Sequence, residues 1–173
     1  PIGGKGKRLK EAGYMMPKPF IKLGKRMMLE LALESYQGIP DSEIHLIVRK
    51  DMLLDGFMLS LNHWVIEADT RGPLETIFVN QGILKLIDTD RELLIADCDS
   101  IISRQELETA IDLFRAGRAD GGCTLRQTTQ PHCSYAMLKN DDSFEITFTA
   151  EKQRISEWST TGPYWWRTGH GFV

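Results

Sequence analysis

The chain has 173 residues and a net charge of −3, with 42% hydrophobic and 26% charged residues. That balance suits one globular domain with a sizeable core and excludes a disordered or fibrous chain. No apolar run approaches the ~18 residues of a membrane span and no signal-peptide pattern is present, so a cytoplasmic protein without a membrane partner is expected.

Cys98, Cys123 and Cys133 are odd in number and lack CxxC spacing, which argues for reduced thiols over a disulfide frame or zinc site. The charge is unevenly placed. Residues 1–26 hold eight Lys and Arg against Glu11 alone, so the rest of the chain stands at −10. A nucleic-acid binder usually spreads its basic residues over several elements. Here they crowd around the opening stretch PIGGKGKRLK, and no nucleic-acid partner is expected.

The elements can be taken in chain order. Gly3, Gly4 and Gly6 make a loop that cannot hold itself by side-chain packing, and an anion gripped by backbone N–H groups and cations would stabilise it. The apolar spacing predicts a helix over 30–36, ended by Gly38-Ile39-Pro40. Residues 44–48 read as a buried strand and Val65-Ile66 as the start of another. After a break at 70–73, helical periodicity returns over 74–87, and residues 92–97 form a strand that ends in acids. Ser103 and Glu106 form a capping box for a helix whose apolar face is Leu107, Ala110, Ile111, Leu113 and Phe114, with Gly117 as its stop. Residues 134–139 and 144–149 predict a β-hairpin whose Phe144, Ile146 and Phe148 make one buried face. Residues 164–167 read as one more strand.

Strand and helix alternate through the first two thirds, and extended segments dominate afterwards. This predicts an α/β fold: a Rossmann-like, doubly wound mixed sheet, mostly parallel, with a β-rich C-terminal part, in a single domain over 1–173. Only Pro1-Ile2 precede the glycine loop where a buried strand is expected, and nothing follows residues 169–173. The reading is therefore of a domain lacking its first strand and its C-terminal end.

The opening loop is not a P-loop, because Gly6-Lys7 is followed by Arg8, and it is not GxGxxG, because Leu9 stands where the last glycine would be. Gly3-Gly4-Lys5-Gly6-Lys7-Arg8-Leu9 followed by Pro17-Lys18-Pro19 closely resembles the signature of the sugar-phosphate nucleotidylyltransferases, the NDP-sugar pyrophosphorylase-like enzymes. Lys7 departs from the Thr or Ser of many members. Further resemblance lies in Asp97-Cys98-Asp99 after an apolar strand, in Ser134-Tyr135-Ala136, in Glu151-Lys152 and in Gly162-Pro163-Tyr164, so it covers nearly the whole chain.

The resemblance implies a nucleotide-diphospho-sugar transferase fold and a Mg²⁺-dependent enzyme. Such an enzyme joins a nucleoside triphosphate to a sugar phosphate, or a similar phosphorylated molecule, and releases pyrophosphate. It implies Arg8, Lys18 and Asp97 as catalytic residues, and Gly3, Gly4, Gly6, Arg8 and Gly72 as the nucleotide site. Tyr135, Ala136, Glu151, Lys152 and Gly162 would bind the acceptor, and Asp97, with Asp99 as the weaker candidate, the metal. Gly72-Pro73-Leu74 stands where the family often has Gly-Thr-Ala, which leaves the nucleobase open. A homo-oligomer also stays open.

The chemistry agrees with these residue types. Both reactants are anionic, so the main task is to cancel repulsion and hold alignment. One cation at 4 Å is worth about 4 kcal/mol at an effective dielectric of 20, more than a single hydrogen bond. Lys5, Lys7, Lys10, Lys22, Lys25 and Arg26 are more simply surface charges, and Trp158, Trp165 and Trp166 more simply core or interface. The four histidines show no ligating or relay spacing. Two other readings stand beside the enzyme: a non-catalytic nucleotide- or sugar-phosphate-binding regulatory domain, and a glycosyltransferase using Asp97 and Asp99 to hold a nucleotide-sugar.

Overall fold

The computed structural model describes residues 1–2, 9, 11–52, 61–67, 69–140 and 142–173. The glycines and arginine of the opening loop (Gly3, Gly4, Gly6, Arg8) lie outside the described residues. A 3-10 turn at Lys18–Phe20 leads into a small ribbon, β1 (Lys22–Leu23) and β2 (Arg26–Met27), folded about Gly24 at φ +67°. Helix α1 (Met28–Glu34), β3 (Leu46–Arg49), β4 (His63–Ile66), α2 (Pro73–Phe78), α3 (Gln81–Ile87), β5 (Leu93–Ile95) and α4 (Arg104–Ala116) follow. The last third is β6 (Gly121–Gln127), β7 (Ser134–Leu138), β8 (Ile146–Glu151) and β9 (Trp158–Trp166).

Strand β3 is buried along its whole length, as a strand covered on both faces must be. It runs parallel to β4, and on its other side Ile2 makes a parallel bridge to Val48. Side chains alternate, so Leu46 and Val48 pack with Ile2, Phe20, Leu29 and Leu33 on the α1 side, while Ile47 packs with Ile66, Ile77 and Ile83 on the side of α2 and α3. Helices thus cover both faces of this small parallel part. The helix expected over 74–87 is two helices: the Asn80 side chain accepts from the amides of Gly82 (2.9 Å) and Ile83 (3.2 Å) and starts a new helix there.

The sheet is not mostly parallel. Among the described residues the parallel part is β3, β4 and the Ile2 bridge, whereas the larger sheet of β5, β6, β7, β8 and β9 is antiparallel throughout. Its centre is β9, nine residues long against the short segment the sequence suggested. Strand β6 escapes the sequence reading because Gly121-Gly122 looks like a breaker. In the fold Gly122 lies beneath α4, where a methyl group would come 2.7 Å from the Phe114 ring.

Two further expectations fail in detail. The hairpin of β7 and β8 forms, but its apolar face is open: Phe144 is 95% and Phe148 59% exposed, and among the described residues no element packs over that face of the edge strand β8. Leu113 also points to solvent while Leu107, on the same helix, is fully buried. The capping box is present, with Ser103 Oγ accepting from the Glu106 amide and the Glu106 carboxylate accepting from the Ser103 amide.

Trp165 joins α4 to β9. It is 1% exposed, stacks on Phe114 at 5.6 Å, and carries the Arg167 guanidinium 5.7 Å from its ring centre. Trp165→Ala should lower the unfolding free energy by about 3–5 kcal/mol, measured by urea denaturation. A loss below ~1 kcal/mol would show that the α4 contact does not hold the antiparallel sheet together.

Candidate functional site

Strand β9 has three neighbours and only two edges. Ser159 pairs with both Arg126 of β6 and Tyr135 of β7, so those strands lie on opposite sides. Residues 164–166 pair with both β5 and β6, so β5 lies on the same side as β7. One edge of β9 is therefore divided between β5 and β7, and a fork opens between them at residues 160–163. Ligands bind where neighbouring strands part in this way.

The end of β5 reaches the fork first. Its register on β9 runs Leu93↔Trp166, Leu94↔Trp165 and Ile95↔Tyr164, and two more steps bring Asp97 opposite Gly162. A methyl group at Gly162 would sit 2.9 Å from the Asp97 carboxylate, so only glycine leaves that carboxylate its place. Burial, and then the charge of Asp99, raise the Asp97 carboxyl above its ordinary range. The terminal nitrogen of Pro1 and the Lys18 ammonium oppose the shift through charge, and no donor among the described residues hydrogen-bonds to the group. Cys98, between the two acids, is pushed up to about 11 by burial, which makes it an unreactive thiol.

Lys18 arrives from the other side. Its neighbours Pro19 and Phe20 are buried, and Phe20 donates its amide to the Pro17 carbonyl at 2.9 Å, so the backbone of the turn is anchored in the core. The side chain stays about two-fifths exposed and forms an ion pair with Asp99. The turn of prolines thus holds the cation against the second acid.

The predicted acceptor residues divide into two groups. Tyr135 and Ala136 are fully buried and the Tyr135 hydroxyl donates to the Gln130 carbonyl, so their side chains hold β7 in place. Glu151 and Lys152 end β8 opposite Ser134, both exposed, with the Lys152 ammonium 2.6 Å from the Glu151 carboxylate. Lys152 adopts φ +58°, a left-handed conformation that strains a side-chain-bearing residue, and its amide is held by the Cys133 carbonyl at 2.8 Å. Tyr164, half-buried in the fork, is raised chiefly by desolvation and also feels the charges of Asp97 and Glu151. Gly72 caps α2 from the loop after β4, its carbonyl accepting from Thr76.

Sequence reasoning did not find Arg49. It is nearly buried at the end of β3, donating two bonds to Asp51 (2.7 and 2.5 Å) and one to Asp69 (3.2 Å), and so ties the exits of β3 and β4 together. The signal was an arginine closing a fully apolar strand, with an acid two residues on.

Asp97 and Asp99 fit a Mg²⁺ ion. Among the described residues there is no cluster of three or more metal-ligating side chains. Mg²⁺ asks for less, since one or two carboxylates and the phosphates of a substrate suffice. A desolvated carboxylate beside a second acid, with no hydrogen-bond donor among the described residues, gains from a cation.

No family model and no curated protein matches the sequence. Solved structures do match in fold. The nucleoside-diphosphate-sugar pyrophosphorylase from Vibrio cholerae RC9 superposes with a TM-score of 0.75 at 20% identity, over 96% of this chain and 71% of that one. The inositol-1-phosphate CTP transferase from T. maritima gives 0.70 at 16% identity, over 95% and 67%. An apo-UDP-glucose pyrophosphorylase gives 0.66 at 10% identity, over 96% and 74%. The chain thus has the fold of sugar-phosphate nucleotidylyltransferase-like proteins, the family that its glycine loop and Pro17-Lys18-Pro19 resemble. No helix among the described residues is long and apolar enough to cross a membrane.

The raised carboxyl of Asp97 has a consequence for stability. An acid whose folded pKa lies above its unfolded value of 3.8 binds the proton more tightly when folded, so its stabilising contribution fades as pH rises from 3.8 through the folded pKa. Asp97→Asn should raise Tm by a few degrees at pH 7 without divalent cations, and the gain should vanish below about pH 3.8. Differential scanning calorimetry at the two pH values checks this. A lower Tm at pH 7 would mean that the carboxylate is well compensated in the free protein.

Proposed function

We propose that the chain is the catalytic domain of a Mg²⁺-dependent nucleotidylyltransferase acting on a nucleoside triphosphate and a sugar phosphate or similar phosphorylated molecule. The observation that carries this is the fork of β9, where the desolvated Asp97, Asp99 and the anchored Lys18 meet, with the Glu151-Lys152 pair at the end of the neighbouring hairpin. The phosphate of the acceptor attacks the α-phosphorus, the bond to the bridging oxygen breaks, and pyrophosphate leaves with the electron pair. Mg²⁺, held by Asp97 with Asp99, would supply charge neutralisation on the triphosphate.

Lys18 supplies a point charge at the reacting phosphates, leaving Asp99 for the stronger anion as substrate enters. Arg8, with Gly3, Gly4 and Gly6, is proposed to grip the leaving phosphates, since a planar fork and backbone N–H groups suit a polyphosphate. Gly72, on the loop after β4, is proposed for the nucleotide. Glu151 accepts from sugar hydroxyls while Lys152 offsets the sugar phosphate. Tyr135 and Ala136 act through the position of β7, and Gly162 by leaving room at Asp97.

Pyrophosphate release with a panel of triphosphates and sugar 1-phosphates tests the reading. Release that needs both substrates and Mg²⁺, and that disappears in Asp97→Asn, is the expected result; binding without release would leave a regulatory domain. Arg8→Lys keeps the charge and loses the planar fork. It should lower kcat by a larger factor than it raises KM for the triphosphate, because charge on pyrophosphate grows as the bond breaks. An unchanged kcat would make Arg8 a docking residue.

Lys152 carries a separate prediction. Lys152→Ala should raise KM for the sugar phosphate about tenfold to a hundredfold, as the loss of a charge-assisted bond of roughly 1.5–3 kcal/mol requires, with triphosphate binding nearly unchanged. Lys152→Gly should show the same loss together with a gain of about 1 kcal/mol in stability, since glycine tolerates the left-handed backbone. Calorimetric titration of both ligands decides it: unchanged sugar-phosphate affinity would make the pair plain surface.

A further inference from the structure

Arg49 closes β3, a strand buried along its whole length, and its own side chain is only 11% exposed. Desolvating a guanidinium that far is unfavourable, and an apolar residue would fill the place at lower cost unless the charge holds something. It holds two carboxylates of different kinds. Asp51 is two residues on in the same stretch and takes two bonds, at 2.7 and 2.5 Å. Asp69 is twenty residues away and takes one bond, at 3.2 Å. It lies three residues beyond Ile66, the β4 residue that pairs with Arg49 itself. The Asp51 bonds compensate the charge locally, whereas the Asp69 bond reaches across to the chain that leaves β4.

That chain is pinned again a few residues later. Thr76 is 1% exposed, and both its hydroxyl (2.9 Å) and its amide (3.0 Å) donate to the Gly72 carbonyl. The Thr76 hydroxyl also lies 2.6 Å from that of Thr70. Residues 69–72 are thus fixed between two buried anchors, Arg49 on β3 and Thr76 on α2. Between the anchors the Arg71 side chain points to solvent, and a methyl group at Gly72 would meet no atom of the described residues within 4 Å. The loop therefore keeps an open face at the carboxyl ends of two parallel strands, where such sheets receive ligands, while its backbone is held from behind.

We propose that Arg49, acting through Asp69, is a positioning residue for the nucleoside triphosphate: it sets the place of the 69–72 loop that carries Gly72. This inference rests on the nucleotidylyltransferase reading above. A guanidinium suits the task because its rigid fork aims separate N–H donors at the two carboxylates, whereas a Lys ammonium is a single point of charge. A loop released at one anchor spreads over many positions, and a shift of about 1 Å at a substrate contact is enough to cost a large factor.

Calorimetric titration of wild type with CTP, UTP, dTTP, ATP and GTP, each with Mg²⁺, selects the nucleotide that binds. That nucleotide is then titrated against Asp69→Ala, Arg49→Lys, the double variant and Asp51→Ala, and each protein is also melted. Asp69→Ala removes the loop contact at an exposed carboxylate and leaves Arg49 paired with Asp51, so the fold should survive. Asp69→Ala and Arg49→Lys should each weaken nucleotide binding about tenfold, as the loss of one charge-assisted bond does. The double variant should bind within about twofold of either single one, because both changes break the same contact. Asp51→Ala removes two of the three bonds and should lower Tm the most, yet leave nucleotide affinity within about twofold. A merely structural Arg49 requires the opposite order, with affinity following Tm and Asp51→Ala the worst. That order, additive losses in the double variant, or unchanged affinity in Asp69→Ala would overturn the proposal alone. If Arg49→Lys does not fold, the contrast between Asp69→Ala and Asp51→Ala still decides it. A wild-type chain that binds none of the five nucleotides would overturn the nucleotidylyltransferase reading, and this inference with it.

Discussion

The site depends on the register of β5 against β9. Three residue pairs set it, and their continuation puts Asp97 opposite Gly162. A slip of one residue would turn Asp97 to the other face of the sheet and bring a side chain where the glycine now makes room. So short a strand cannot hold its register alone. Trp165 and Trp166, two of the three β9 residues in that pairing, lock it by stacking on Phe114 and meeting Phe172 edge to face at 4.8 Å, respectively. Consecutive strand residues project to opposite faces, so packing on both faces of the sheet bears on where the carboxylate stands.

Charge in the fork is arranged for a ligand more than for the free protein. Lys18 leans on Asp99, an exposed pair of the kind that contributes little to stability, and among the described residues Asp97 has charge effects and no hydrogen-bond donor. A polyphosphate with its cation would satisfy both groups at once: the anion takes Lys18, and the carboxylates take the metal. In the sequence the basic excess falls in residues 1–26, of which Lys18 stands at the fork, whereas the remainder of the chain is acidic. Under the proposed function, such an asymmetry of charge would favour the approach of an anionic substrate to the basic part of the chain.

Local signals were legible in the sequence, and long-range pairing was not. The capping box at Ser103, the apolar run that became β3 and the acids closing β5 each depend on neighbours within a few residues, and each appears where its pattern placed it. The direction of the second sheet does not follow from such patterns. Whether β5 pairs in parallel with an upstream strand or antiparallel with β9 is decided between residues more than sixty positions apart. Strand β6 was lost because Gly122 serves the packing of Phe114, which a breaker rule reads as a turn. The open face of Phe144 and Phe148 has the same origin, since alternation shows which residues share a face but not whether anything covers it. Among the candidate site residues, the resemblance to the family's motifs brought Lys18, Asp97, Asp99 and Gly162 to attention. Arg49 escaped because its partner Asp69 lies twenty residues away.

Two local features work against stability, and both lie at the places the motifs pick out. Asp97 keeps a carboxyl in a desolvated position beside a like charge, and Lys152 keeps a left-handed backbone that asparagine or glycine would adopt more easily. A fold under no demand beyond stability would lose little by replacing either. Strain and uncompensated charge persist where the surrounding structure holds them in place and where a ligand can release them. Asp97 follows β5, which borders the fork in β9 opposite Gly162, and Lys152 follows β8, which pairs with β7 on the other side of that fork and not with β9 itself. Under the proposed function, one end of the bound substrates would seek a cation at Asp97 and the other would meet the cation of Lys152. A phosphorylated acceptor beside a metal-bound triphosphate has that pattern of charge.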